Sequence, residues 1–349
     1  MIVMTPPVHD LPTGWQAGRP VPSDVAALHD LIVRHETVAR GSSGTSLLTV
    51  ESEIVGKGAG SREQVVVHDG AGAIRAWATV HDRAPGRSLV DVVVDPALEP
   101  APADQVAAAL FAWATAVTVA VGTGRGLDQR QVDSGAFADD PRQQRWLTAA
   151  GLTHVRSWWQ MSRPVDPAEA APDAFPPPAD GVVVRTVARA EGGMPPHLDL
   201  AAIHDILETA FTDHFNHHEE TFEEFCSRLR EDPGHRWDHW WIAELTDAET
   251  GSTEPAGALV GAVSPGADGA PDGSYVDYLG VLQSARGRGV ATSLLHAVIA
   301  DAARRGRRTV GIEVDRDSPT GAADLYLSMG FVTAYVTQSW HLDVTMPTT

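Results

Sequence analysis

The sequence predicts a mixed α/β (α+β) chain made of two tandem domains, and three observations carry that expectation. In the second half, apolar strand patterns stand before, between and after helical ones, which is the order of an α+β or mixed α/β sheet domain. A proline-rich stretch, "RPVDPAEAAPDAFPPPADG", divides the 349 residues into halves of similar size. Four segments of the first half also echo segments of the second in the same order, the mark of an internal duplication. The expected division is 1–162, a linker at 163–180, and 181–349.

Taken in order, "GVVVRTV" reads as a strand, and "LDLAAIHDILETAF" has helical spacing. "TFEEFCSRLRE" is a second helix, with Thr221 and Glu224 placed as a capping box. "HWWIAEL", "GALVGAV" and "SYVDYLGV" are the next strands. "ATSLLHAVIADAARRG" is an amphipathic helix with basic residues in its last turn and Gly306 as its C-cap. "TVGIEVD" is a strand, "TGAADLYLSMG" a short helix ending at Gly330, and "AYVTQSWHLDV" the last strand. In the first half, "RPVPSDVAALHDLIVRH" matches the first helix and "EQVVVHDGAGAIRAWATV" a hairpin. "RSLVDVVVDP" parallels "GSYVDYLGVLQ", and "WLTAAGLTHVRSWWQM" parallels "LYLSMGFVTAYVTQSWHL". The linker's prolines remove amide donors and favour a stiff, solvated segment.

Composition narrows the function. Hydrophobic residues are 43% and charged residues 21% of the chain, a globular balance. A formal net charge of −20 repels polyanions, so neither nucleic acid nor an anionic membrane is an expected partner. Cys226 is the only cysteine, which excludes an intrachain disulfide and a cysteine-based zinc site, and is consistent with a cytoplasmic protein. The N-terminus lacks a basic start followed by an apolar run. The apolar run "VAAALFAWATAVTVAV" is short for a bilayer span and reads as a buried helix.

Against this acidic background, "VLQSARGRGVATSLL" is distinctive. A strand ending at Val281 delivers Arg286, Gly287, Arg288, Gly289, Val290 and Ala291 into the start of a helix. Amides at a helix start lack intrahelical acceptors and point outward together, forming an anion nest. The glycines allow close backbone approach, and the arginines add charge-assisted contacts to phosphate oxygens. Neither the Walker loop nor the GxGxxG spacing is present. The strand, this R-x-x-G-x-A loop, the helix and the later "LYLSMGF" together resemble the GCN5-related N-acetyltransferases (GNAT). The duplicated layout resembles tandem actinobacterial members, the class that includes mycothiol synthase.

The resemblance implies two GNAT-like domains, each a central, mostly antiparallel mixed sheet flanked by helices, with acetyl-CoA as cosubstrate. It implies that the loop residues Arg286 to Ala291 cradle the coenzyme pyrophosphate. It also implies that Leu279, Gly280 and Val281 line the pantetheine arm and acetyl group. Tyr326 falls where the family's thiolate-facing tyrosine stands and would be the general acid; a phenol stays protonated at neutral pH and can protonate a departing thiolate. By period-two alternation Asp277 shares a face with Leu279 and Val281 and is the leading general base. Glu244 and Glu313, on flanking strands, are the other candidates, acting through a water. Asp315 opens a turn in which relatives carry Asn near the coenzyme; Ser318 departs from that pattern.

"DHFNHHEE" has His214 and His218 at i, i+4 spacing, but no third ligand at a defined spacing, so no metal is expected. His214 and His217 are read instead as lining the acceptor pocket, with Trp241, or its neighbour Trp240, as a wall. In the first half, aligning Val94 with Val281 puts Glu99 opposite Arg286, Pro100 opposite Gly287 and Pro102 opposite Gly289. Leu147 stands where Tyr326 does. Prolines have no amide to donate and a carboxylate repels phosphate, so residues 1–162 are expected to keep the fold without binding coenzyme. The leading expectation is acetyl transfer to a primary amine of a small, cationic molecule by a monomer or homodimer. Mycothiol-synthase-like acetylation of a thiol-sugar precursor and a non-catalytic acyl-CoA-binding module are the alternatives.

Overall fold

The structure is a computed structural model describing residues 6–84, 86–188, 195–212, 220–231, 239–266, 269–317 and 321–347. His214, His217 and Ser318 lie outside the described residues. Two compact units emerge: Met1–Trp159 with Asp315–Asp317 and Tyr335–Thr349, and Gln160–Val314 with Ser318–Ala334.

The first unit runs β1 (Gln16–Gly18), α1 (Val25–Arg40), α2 (Leu47–Ile54), β2 (Arg62–His68), β3 (Ile74–Ala84) and β4 (Arg87–Val94). It continues through α3 (Pro100–Gly124), β5 (Gln129–Phe137), α4 (Pro141–Ala149) and the start of β6 (Thr153–Pro164). Strands β1 to β4 pair antiparallel in sequence order, and β4 pairs parallel with β5. One sheet face carries Val65, Val67, Ala76, Ala78, Val90 and Val92 against α3 and α4. The other carries Val66 and Trp77 against α1 and α2. Alternation along each strand thus supplies two apolar faces, as a sheet covered on both sides needs.

Helix α3 is longer than its apolar run suggested, because Pro100 and Pro102 start it and Gly124 ends it. Among the described residues it is the one helix long and apolar enough to cross a membrane, and 56% of its most apolar window is buried inside the protein. Leu110, Trp113, Ala114 and Val117 belong to the core.

The second unit begins with the last residues of β6 and contains β7 (Val182–Thr186), α5 (His197–Phe211), α6 (Phe222–Glu231), β8 (Trp241–Thr246), β9 (Thr253–Ser264) and β10 (Gly273–Val281). Then come α7 (Val290–Arg304), β11 (Thr309–Asp315), α8 (Ala322–Ser328) and the start of β12 (Val332–Thr345). Its strand order is β6, β11, β10, β9, β8, β7. Strands β10 and β11 pair parallel, whereas β7 to β10 are antiparallel neighbours. The Thr221–Glu224 capping box forms: each donates its backbone N–H to the other's side chain, at 2.9 and 3.2 Å.

Two readings of the sequence change here. From Tyr335 onward β12 belongs to the first unit, where Thr337–Thr345 pairs antiparallel with β5, so a single block at 181–349 does not describe the chain. The physical reason is that β5 pairs with β4 on one side only and needs a second partner for its ladder. The linker is also more than a spacer. Asp166 and Glu169 form a capping box on a short 3₁₀ turn at Pro167–Ala170, and Phe175 stacks on His296 of α7 at 4.5 Å.

Candidate active site

The site is built where β10 ends. Strands β10 and β11 pair over Ser274–Val276 and Val310–Ile312. Strand β10 runs on to Val281 and β11 to Asp315, with no further rungs between them among the described residues. The edge of Tyr278–Val281 that faces β11 is thereby freed for hydrogen bonding to a bound chain. Leu279 and Val281 pair with Leu259 and Gly257. A Cβ on Gly257 would lie 2.7 Å from Val290 Cγ1, so this row faces α7. Gly280 faces α5, where a Cβ would lie 2.9 Å from Leu207 and 3.3 Å from Ala210. Glycine there lets the helix sit directly on the strand.

Past a 3₁₀ turn at Gln283–Ala285, Gly287 and Gly289 adopt φ of 73° and 78°. L side chains rarely adopt that region, which accounts for both glycines. Gly289 is the N-cap of α7 and, having no side chain, leaves the first amides of the helix uncapped. Arg286 and Arg288 are exposed, and among the described residues neither has a carboxylate partner. Two unpaired guanidiniums beside an open helix start, in a chain of charge −20, have the chemistry to hold an anion. The residues present fit a pyrophosphate.

Tyr326 lies on α8 and is 6% exposed. Burial pushes its hydroxyl up to about 12, so the phenol is held protonated. Among the described residues that hydroxyl has no hydrogen-bond partner. The backbone N–H of Phe331 donates to the Tyr326 carbonyl at 3.1 Å, and Gly330 closes the helix at φ 84°. In the first unit, Leu152 donates to the Leu147 carbonyl at 3.0 Å and Gly151 has φ 87°. The same helix end is built twice, with leucine in place of tyrosine.

The candidate bases separate. The alternation that put Asp277 in the row of Leu279 and Val281 is broken, because the β9–β10 register shifts between Val276 and Tyr278 and leaves Asp277 as the extra residue of a bulge. Its charge acts on Arg228 of α6. Arg228 in turn donates to Glu220 at 2.6 and 2.8 Å and to the Tyr278 hydroxyl at 2.7 Å. Glu244 accepts from Arg185 at 2.7 Å, and Arg185 also grips Asp199 with two bonds. Glu244 therefore serves as an anchor between β8, β7 and α5, which explains a carboxylate there without catalysis. Trp241 is corrected too. It is 3% exposed and pairs with Leu259 in the row that faces α7, so it is core and not a pocket wall. Trp240 is fully buried in the cluster under α5 and α6.

A cavity of about 330 Å³ is lined by His197, Leu200, Phe222, Glu223, Cys226 and Arg230. It sits by the first turns of α5, whereas Gly280 lies under the last turns, so it is not the anion site.

Comparison with known proteins matches this geometry. Residues 200–331 match the acetyltransferase (GNAT) family. A GCN5-related N-acetyltransferase from Sphaerobacter thermophilus is similar over 97% of this chain and 98% of its own, at 25% identity and a TM-score of 0.75. A tandem GNAT protein from the clavulanic acid biosynthesis pathway is similar in fold over 96% of this chain and 100% of its own, at 15% identity and a TM-score of 0.68. The N-myristoyltransferase of Saccharomyces cerevisiae, solved with bound myristoyl-CoA and inhibitors, is similar in fold over 97% of this chain and 82% of its own, at 12% identity and a TM-score of 0.55. Among curated proteins none matches the chain. Through residues 200–331, this chain is similar to the GNAT acetyltransferase family.

Proposed function

We propose that the protein is an N-acetyltransferase that moves acetyl from acetyl-CoA to a primary amine of a small molecule by direct attack. The observation that carries this reading is the open helix start after β10, with Gly287 and Gly289 at positive φ and Arg286 and Arg288 unpaired among the described residues. The amides from Gly287 to Ala291 and the two guanidiniums would hold the pyrophosphate, and the free edge of Tyr278–Val281 would align the pantetheine arm. The coenzyme supplies an activated acetyl thioester. Tyr326, buried and protonated, would give its proton to the departing sulfur. The net charge of −20 favours encounter with a cationic acceptor, an effect on rate more than on specificity.

The test is titration calorimetry with coenzyme A, joined to free-thiol release from acetyl-CoA across a panel of amines. Each charge-assisted bond lost to phosphate is worth about 1.5–3 kcal/mol in a buried setting and less in an exposed one. Arg286→Glu with Arg288→Glu should weaken coenzyme binding by roughly 10- to 100-fold. Unchanged affinity in that variant would remove the basis of the reading. Binding without thiol release for any amine would favour a non-catalytic acyl-CoA-binding module.

A further inference from the structure

Three side chains of the second unit form a relay that the coenzyme site does not account for. Tyr275 of β10 stands opposite Gly311 of β11, and a Cβ on Gly311 would lie 2.8 Å from Tyr275 Cδ2. Glycine at this position lets the tyrosine ring lie across the neighbouring strand. The ring reaches β6, where the Tyr275 hydroxyl donates to Gln160 Oε1 at 3.2 Å. Gln160 is 8% exposed, and its Nε2 donates to the Glu313 carboxylate. With its oxygen accepting and its nitrogen donating, the amide is fixed in one orientation.

Glu313 directly follows Ile312, the last residue of β11 paired with β10, and so stands at the mouth of the gap between β10 and β11. It shares its sheet face with Gly311, and hence with Tyr275. The residue is exposed, yet surrounding protein crowds it enough to push the carboxyl above its ordinary range, against the pull of the Gln160 donor. Among the described residues Glu313 has no cationic partner. Glu244 is held by Arg185 and Glu220 by Arg228, while the charge of Asp277 acts on Arg228. Along β10 the next charged residue after Tyr275 is thus Asp277, whose charge acts on Arg228.

We propose that Glu313 is the group that deprotonates the acceptor ammonium, with Gln160 and Tyr275 as the residues that position it. The proposal rests on the acyltransferase reading and sharpens the substrate class to amines that arrive protonated. Glu313 takes one proton from the ammonium and passes it to solvent. The neutral nitrogen then attacks the thioester carbonyl carbon; the C–N bond forms and the C–S bond breaks. Sulfur leaves with a proton from Tyr326, and the tyrosinate recovers a proton from the new amide nitrogen. One proton is released per turnover.

The test compares two acceptors on the full chain. Spermidine is an ammonium at neutral pH and needs a base, whereas hydroxylamine is already neutral. Free-thiol release from acetyl-CoA should fall about 100-fold with spermidine in Glu313→Gln, within the range of a lost general base, and less than about threefold with hydroxylamine. Retained hydroxylamine turnover also shows that the variant is folded. Gln160→Leu removes a donor that favours the charged carboxylate, so the acidic limb of the spermidine pH profile should move to higher pH while coenzyme affinity stays unchanged. Unchanged spermidine turnover in Glu313→Gln, or equal loss with both amines, overturns the assignment of Glu313 and leaves the acyltransferase reading intact. A wild-type chain that binds coenzyme A but releases thiol with neither these amines nor any other of the panel overturns both.

Discussion

After β10 the chain enters α7 through two glycines at positive φ and two exposed arginines; after β4 it enters α3 through Glu99, Pro100 and Pro102. The strands leading in are alike, since each pairs parallel with the next strand over only a few rungs. The segments beyond those strands are opposite in charge and in donors. In the first unit a carboxylate, Asp95, is 1% exposed at the strand end. It accepts from Arg75 at 2.9 Å and from the backbone of Ala97 at 3.0 Å, with Arg34 at 3.5 Å. Where one unit has Arg286 and Arg288, the other has Glu99 and Ala101, with Asp95 tied to arginines just before them. A repeated fold can keep its core while its loops differ, because the sheet is set by apolar alternation and the loop chemistry by a few residues.

The contrast between the units is most exposed to test at the paired helix ends. Tyr326→Phe removes the one protonated group at the second unit's helix end and should lower turnover by about 10²–10³-fold, in the range of a lost general acid. Coenzyme affinity measured by calorimetry should change little, because the role proposed for the hydroxyl is toward the departing sulfur and not the phosphates. An unaltered turnover number would sink the acid assignment. Leu147, buried at 1%, occupies the matching position in the first unit without any such group.

A second, more modest effect concerns carboxyls held high by burial, which both units contain. In the first, burial raises Glu53 to about 7 from its ordinary 4.5, with Arg62 at 3.7 Å only partly offsetting it. A folded-state value above the unfolded one means that the folded chain binds the proton more tightly. The stabilising contribution is complete below about 4.5 and is lost as pH rises through about 7. Glu53→Gln should therefore raise stability at pH 8 by about 1–3 kcal/mol and flatten the decline between those values. Denaturant unfolding at pH 5 and pH 8 measures it; a variant with the wild-type slope would show that Glu53 does not titrate there. Glu53 thus lowers stability at neutral pH with no reacting group beside it, whereas Glu313 stands at the strand gap.

Much of this was legible in the residues. The glycine and arginine spacing located the open start of α7, the Thr221–Glu224 pair located a helix start, and the Leu147–Tyr326 correspondence came from counting back from Gly151 and Gly330. Alternation failed at Asp277 because a bulge inserts one residue without changing composition, and "VDYLGV" looks regular either way. Trp241 looked like a pocket wall because consecutive tryptophans do not reveal which face each takes; register with Leu259 decides it. The relay through Gln160 was invisible because it joins residues far apart in sequence, and only the gap of a glycine at 311 hints that a ring lies over it. The return of Tyr335–Thr349 to the first unit was likewise long-range information: nothing local in "VTQSWHLDV" says which sheet it completes.

The mildest change is the most instructive. If missing donors alone silenced the first unit, then Glu99→Arg with Pro100→Gly and Pro102→Gly should create a second coenzyme site. The structure argues otherwise. Asp95 would remain buried at the strand end, bonded to Arg75 and to the Ala97 amide, and the loop would still lack a counterpart of Arg288, where Ala101 stands. Glycines in the first turn would also loosen α3, since each costs about 1 kcal/mol relative to alanine in a helix. The triple variant should thus keep one coenzyme A per chain by calorimetry, with no more than a modest loss of stability. Two sites per chain would show that the difference between the units lies in the prolines and glutamate by themselves. One site would show that more than the prolines and glutamate separates the two loops, with Ala101 still standing where Arg288 does.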